Sequence, residues 1–482
     1  MRGIASLIVV LTMAMAGLAL SGEPVYFADP NLQAAVEEKL GVSDPTPTEM
    51  LALTDLDASK RGIVDLTGLE YATNLVTLRL SQNRISDCNA VSALANLKDL
   101  NLGYNQITDI STLSGLTNLT ELWLYNNPIS DISALKGLTN LTRLYLRRNK
   151  VSDISALSGL TNLRSLIVVY NQVSDISAVS GLTNLTVLLL YGNDINDISG
   201  LRELTNLRDL HVGENQISDI SVLSELTDLR HLGLGSNQIG DISAVWGLAN
   251  LGSLWVRGNQ ISDISPLSEL TNLTNLILSQ NPISDVSALS NLTNLKTLWL
   301  DDNQISDISA LGGLTNLTVL LLAHNPLRDI SALSELTSLT KLLLYRNQIS
   351  DISALSGLTN LTKLNLAHNQ ISDVSAISGL TSLKTLHLHN NPLNTTAYYL
   401  YLPLILTNNP DIDPPYDPNP NPFTKEDLAS LVDFTEFALN WVETDCGWYN
   451  NWCDGADLNH SGDVNLDDVA EFVKYWFEGA DK

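Results

Sequence analysis

The sequence predicts an α/β repeat solenoid: an arc with a parallel sheet on its concave side, short 3-10 turns on its convex side, and a small α-helical domain after it. Three observations carry this prediction. One 22-residue unit recurs from Leu75 to Asn391 without insertion or deletion, setting fifteen asparagines in register: Asn83, Asn105, Asn127, Asn149, Asn171, Asn193 and onward to Asn391. Such a unit is too short to bury its own apolar side chains, so successive coils must stack. Ahead of each asparagine, leucines alternate with variable residues. Leu119, Leu122 and Leu124 flank Glu121, Trp123 and Tyr125, the period of two of a short strand with one buried face. Third, an aspartate keeps step from Asp87 to Asp373, each before a run like Ile-Ser-Ala-Leu.

The asparagine amide suits backbone groups of neighbouring coils, since buried N–H and C=O groups must be paired. The aspartate suits the start of a short turn, where a carboxylate accepts otherwise unpartnered N–H groups. With one carboxylate per coil already so used, the ladder is a poor calcium chelator. Together the pattern L-x-x-L-x-L-x-x-N-x-I resembles the bacterial 22-residue leucine-rich repeats of the internalins. The resemblance would imply host-cell adhesion, but the sequence carries no Leu-Pro-x-Thr-Gly anchor motif, and fold alone does not settle function.

Taken in order, residues 1–21 read as a secretory signal peptide, with Arg2, an apolar run from Ile4 to Leu20 and small residues at Ala19 and Ser21. No later stretch is apolar enough to span a bilayer, so the chain is expected to be secreted, extracellular or at a bacterial cell surface. Residues 22–66 form an N-terminal cap. There Asp29-Pro30 starts a helix with Leu32, Ala35, Val36 and Leu40 on one face, and Gly41 stops it. Leu56 and Ala58 occupy strand positions of a degenerate first coil, with Arg61 in the asparagine's place. Phe27 to Leu32 also resemble the internalin-type cap. The repeats fill 67–391. In 392–410, an apolar block from Tyr398 to Leu406 is expected to cover the open end. A proline-rich linker, 411–422, leads to a second domain at 423–482.

In that last segment Asp457, Asn459, Ser461, Asp463, Asn465 and Asp468 place oxygen ligands around Gly462 at the spacing of an EF-hand-type Ca2+ loop. Thirty-five residues earlier Asp433, Glu436, Phe437 and Trp441 align with Asp468, Glu471, Phe472 and Trp476. This duplicated loop-helix resembles a dockerin, which implies a cohesin-type partner. The first copy departs from the family, with Pro422, Thr424 and Glu426 at its loop positions, leaving one calcium site. Cys446 and Cys453 bracket six residues, and in an exported module they imply a disulfide rather than zinc. Cys88 replaces the core isoleucine seen at Ile110.

A net charge of −27 over 482 residues argues against nucleic acid as a partner. Recognition is expected where the sequence varies, at the outward positions between the leucines. These hold Trp123, Tyr125, Arg143, Tyr145, Arg147, Arg148, Tyr191, Trp255, Arg257, Trp299 and Tyr345, residue types that dominate interface energetics. Arg143, Arg147 and Arg148 beside Trp123, Tyr125 and Tyr145 form the sharpest group, suited to a carboxylate or acidic loop. Six of seven histidines share these positions. Asp209, His231 and Ser253 fall in one column without an evident oxyanion hole, and His368, His387 and His389 are a weak metal trio.

The leading reading is a secreted, non-enzymatic protein that binds a protein ligand on its concave face and docks through its calcium-binding tail. The alternative is a polysaccharide-binding component of an extracellular polysaccharide-degrading assembly, with Trp123, Trp255 and Trp299 stacking on sugar rings.

Overall fold

The structure, a computed structural model, describes residues 22–410 and 412. The expected signal peptide, linker, calcium loop and Cys446–Cys453 bridge lie outside the described residues. The chain divides into two compact units, Met1–Pro282 and Ile283–Lys482.

The first unit opens with a helix, Pro30–Leu40. Asp29 caps it by accepting the N–H groups of Asn31 and Leu32, and Gly41 ends it at φ 70°, a left-handed turn that glycine adopts without a Cβ penalty. Leu32, Ala35 and Val36 are buried, and Leu40 is half-buried. A four-residue helix, Pro47–Met50, follows with a capping box between Thr46 and Glu49. Eleven three-residue strands then pair in parallel and in sequence order, from Asp55–Asp57 to Asn275–Ile277. Every pairing shifts by one repeat, so Leu100 faces Leu122 and Leu122 faces Leu144. The central leucines and those flanking them are fully buried, among them Leu97, Leu100, Leu102, Leu119, Leu122 and Leu124. At about 25 cal/mol per Å2 of apolar surface, this column is the main stabilising term.

Both ladders form as their chemistry requires. Asn127 Oδ1 accepts the Ile107 N–H (3.0 Å), while its Nδ2 donates to the carbonyls of Leu102 (3.0 Å) and Leu124 (3.1 Å). Asn105, Asn149, Asn171 and Asn193 repeat the bridge to the preceding coil. Asn83 serves the degenerate coil too, accepting from both Arg61 and Ile63 N–H groups. Asp109 Oδ1 accepts the Ser111 N–H at 2.7 Å, opening a 3-10 turn, and the bond recurs at Asp131, Asp153 and Asp175. Cys88 is buried beside Thr112.

A further ladder stands beside these two. In the Thr-Asn-Leu segment, Asn118, Asn140, Asn162 and Asn184 each donate Nδ2 to a carbonyl 23 residues earlier, at 2.9 Å. Its signal was present in the sequence as a second asparagine on the same 22-residue period.

The second unit holds five parallel strands, Thr297–Trp299 to Thr385–His387. It ends in a wide turn, Ala397–Tyr401, and a helix, Leu402–Asn408. Ala397 and Ile405 are buried, and Asn409 Nδ2 bonds the Leu380 and Ile405 carbonyls (2.8 Å each). The block covers the last coil less fully than expected. Leu400 and Leu404 are 53% and 43% exposed, because a helical period presents only one face of the run to the coil.

Candidate functional site

The outward strand positions are where side chains vary. Glu121, Trp123 and Tyr125 are half-buried rather than exposed. Strands about 4.8 Å apart bring identical positions on neighbouring coils into contact, so these side chains pack on one another. Trp123 stacks on Tyr145, with centroids 5.5 Å apart and planes 10° apart. Tyr125 meets Tyr104 edge-on at 5.4 Å and covers Gly103, whose Cβ would fall 2.4 Å from the ring. Glu121 takes Arg143 Nη1 at 2.7 Å.

On the next coils Arg148 lies over Tyr170 (5.4 Å to the ring centroid), and Tyr170 meets Tyr191 edge-on at 5.4 Å. The Tyr191 hydroxyl donates to Glu214. Burial, then this carboxylate, push the Tyr191 phenol well above its usual range. Arg147 is exposed, with no hydrogen bond or ion pair to another described side chain. Trp123, Tyr125, Arg143, Tyr145, Arg147, Arg148 and Tyr191 therefore lie on successive coils of the first unit, joined in separate contacts (Tyr104–Tyr125, Trp123–Tyr145, Glu121–Arg143 and Arg148–Tyr170–Tyr191) with Arg147 outside them.

Tyr104 and Tyr170 belong to these contacts but were missed. They are 48% and 37% exposed and precede the ladder asparagines with φ 54°. Every coil is left-handed there, including Arg148 at φ 54°, and that turn carries the side chain beside the strand face. The available signal was their 22-residue spacing with Asn126 and Arg148.

Farther along the same unit Trp255 is 43% exposed and meets His211 edge-on at 5.2 Å. Burial lowers the His211 pKa. Arg257 Nε donates to Gln280 Oε1 at 3.1 Å. Asp209, His231 and Ser253 do share a column. Asp209 lies 3.7 Å from His231, while the buried Ser253 Oγ accepts from Asn275 Nδ2 at 3.2 Å. Trp246 stands 66% exposed at the end of a 3-10 turn, off the strand face.

In the second unit Trp299 is half-buried, and its Nε1 is buried without a partner. Tyr345 meets His324 edge-on at 5.1 Å, and burial followed by Asp301 and Asp302 raises its pKa. His389 lies 5.3 Å from His368 and 6.1 Å from His387, centroid to centroid. Among the described residues no group of three or more His, Cys, Asp or Glu is placed to hold a metal ion. No helix among them is long and apolar enough to cross a membrane.

A family model described as leucine-rich repeats (two copies) matches residues 95–137, 139–182, 183–225, 227–269, 271–313, 315–357 and 359–398. A search of curated protein sequences found no match. Among solved structures, an internalin from Listeria monocytogenes is 35% identical, with a TM-score of 0.57, covering 76% of this chain and 98% of that one. A leucine-rich-repeat protein from Leptospira interrogans is 25% identical at a TM-score of 0.70, covering 76% and 96%. The functional domain of another Listeria monocytogenes internalin, one that includes a cysteine ladder, is similar in fold at 22% identity and a TM-score of 0.62, covering 73% and 82%. Here Cys88 is the lone cysteine among the described residues.

Proposed function

The chain belongs to the leucine-rich-repeat family, and on that basis we propose that it is a non-enzymatic binding protein whose outward strand face captures a protein ligand. One observation carries the reading: on the successive coils from Tyr104 to Tyr191, aromatic and arginine side chains pack against neighbours from the next coil. Half-buried aromatics held by neighbours lose little freedom on binding and supply large contact area, which is what interface anchors require.

The reading places the protein outside the cell, consistent with the apolar leader at 1–21. It assigns segment 423–482 as a dockerin-like module that binds Ca2+ through Asp457, Asn459, Ser461, Asp463, Asn465 and Asp468 and attaches the protein to a cohesin-type partner. Support for this comes from the loop spacing alone.

The test is capture from an extracellular fraction by the mature protein, with calcium and with chelator. A partner retained in chelator but lost in Trp123→Ala/Tyr145→Ala supports the strand face. A partner indifferent to both changes would sink that reading, and one lost in chelator and in Asp457→Ala belongs to the tail. Polysaccharide recognition needs open ring faces. Of Trp123, Trp255 and Trp299 only Trp255 is exposed, the other two being half-buried, so a glycan array is expected to show no Trp123-dependent binding.

A further inference from the structure

We infer that the strand face around Arg147 selects an acidic polypeptide segment, with Arg147 as the residue that reads its carboxylate. The inference rests on the strand-face reading above and names the chemistry of the partner. The coils ending at Asn127 and Asn149 carry Arg143 and Arg147 on the strand face and Arg148 in the turn beside it, against the one face carboxylate of Glu121, in a chain of net charge −27. The repeating acidity is placed elsewhere, at the mouths of the 3-10 turns, where Asp109, Asp131, Asp153 and Asp175 hold serine N–H groups.

The three arginines are not equivalent. Arg143 is held by Glu121, and Arg148 lies over Tyr170. Arg147 has neither engagement, is exposed, and follows Tyr125 by one coil in the same column. A planar guanidinium matches a carboxylate in a two-bond fork. Tyr125 and Tyr145 are half-buried at neighbouring positions, and a peptide seated on them would shield the fork from water, which makes such a bond stronger.

Two features favour a polypeptide over an acidic polysaccharide. Sugar rings stack on open aromatic faces, whereas here Trp123 and Tyr145 cover one another and Arg148 covers Tyr170. A peptide instead needs apolar rims and a fork, and its side chains can supply both an apolar group and a carboxylate. Screening confines the attraction to this patch, since the Debye length is about 8 Å at physiological salt.

The experiment uses the mature full chain and fluorescence anisotropy. The probes are a labelled peptide of alternating Glu and Tyr, its Gln and Tyr counterpart, and polygalacturonate as competitor. The Glu peptide is expected to bind at least about tenfold more tightly than the Gln peptide, the size expected for one charged hydrogen-bonded contact. Arg147→Glu should lose that factor and Arg147→Gln most of it. Arg202→Glu, the same charge change at a 3-10 turn off the strand face, should not.

Equal binding of the Glu and Gln peptides overturns the inference, and if that binding is lost in Trp123→Ala the strand-face reading stands without it. Polygalacturonate displacing the peptide at lower uronate than glutamate concentration overturns the polypeptide assignment. No binding by either peptide also overturns it, leaving the strand face to the capture experiment.

Discussion

His211 touches Trp255 across an intervening coil, their ring centroids 5.2 Å apart, because the residue between them in the column is Gly233. Neighbours two strands apart are separated by about 9–10 Å of backbone, and only an absent side chain lets both rings lean into the gap. A Cβ on Gly233 would lie 2.3 Å from His211 Nδ1. Gly233→Ala should therefore separate the pair and cost about 1–3 kcal/mol. The imidazole pKa, lowered by burial, should rise towards its ordinary value as the ring swings into water. Nuclear magnetic resonance titration of His211 together with a denaturation curve checks both; an unchanged imidazole titration would show that the glycine is not the cause.

The two asparagine ladders should differ sharply in value. Asn127→Ala leaves the buried Ile107 N–H and the Leu102 and Leu124 carbonyls without their partner, and each buried unpaired group costs about 1–3 kcal/mol. A loss of about 3 kcal/mol or more is expected. Asn140 makes one exposed bond, to the Thr117 carbonyl, so Asn140→Ala should cost less than about 1 kcal/mol. Equal losses in chemical denaturation would contradict the burial argument.

The contrast between core and face explains what could be read in the sequence. Leu100, Leu122, Asn127 and Asp109 answer to backbone geometry that is the same in every coil, so periodicity alone locates them. The face depends on neighbours. Tyr125 lies over Gly103, His211 leans over Gly233, and Arg143 is taken by Glu121. None of these follows from one column read by itself. Tyr104 and Tyr170 escaped because they sit in the left-handed turn before the asparagine rather than on the strand. An unbroken apolar run has no visible sidedness until its helical period is known, so nothing in the sequence from Tyr398 to Leu406 marks Leu400 and Leu404 as its exposed members.

Acid should weaken the fold through the aspartate ladder. Serine N–H groups hold the carboxyls of Asp109, Asp153, Asp175, Asp219, Asp263, Asp307, Asp329 and Asp351 below the usual aspartate value. A folded-state pKa below the unfolded one means the contribution is complete above the unfolded value, about 3.9, and is lost as pH falls through the lowered folded values. Melting temperature should drop steeply below about pH 4. Asp109→Asn, Asp153→Asn and Asp175→Asn combined keep an acceptor oxygen and should flatten the drop; a profile as steep as the parent's would place the acid sensitivity elsewhere.

Cys88 should be chemically silent in the folded protein. It is buried, and burial raises its thiol pKa, which removes the reactive thiolate. With Cys446→Ala and Cys453→Ala in place, Ellman's reagent should titrate no thiol until denaturant is added, then one. Prompt reaction in native buffer would mean the first coils open readily.

The ladder bonds run to backbone atoms at fixed offsets: Asn127 reaches carbonyls 25 and 3 residues earlier and an N–H 20 residues earlier. The ladders thus address no coil to a particular neighbour; only face pairs such as Tyr125 over Gly103 and His211 over Gly233 do. A gene encoding such a chain can lose or duplicate one whole 66-nucleotide module by slipped replication and still specify a fold with every ladder closed. The strand face would then lengthen or shorten by about 4.8 Å per event, so copy number is a heritable dial on the length of that face.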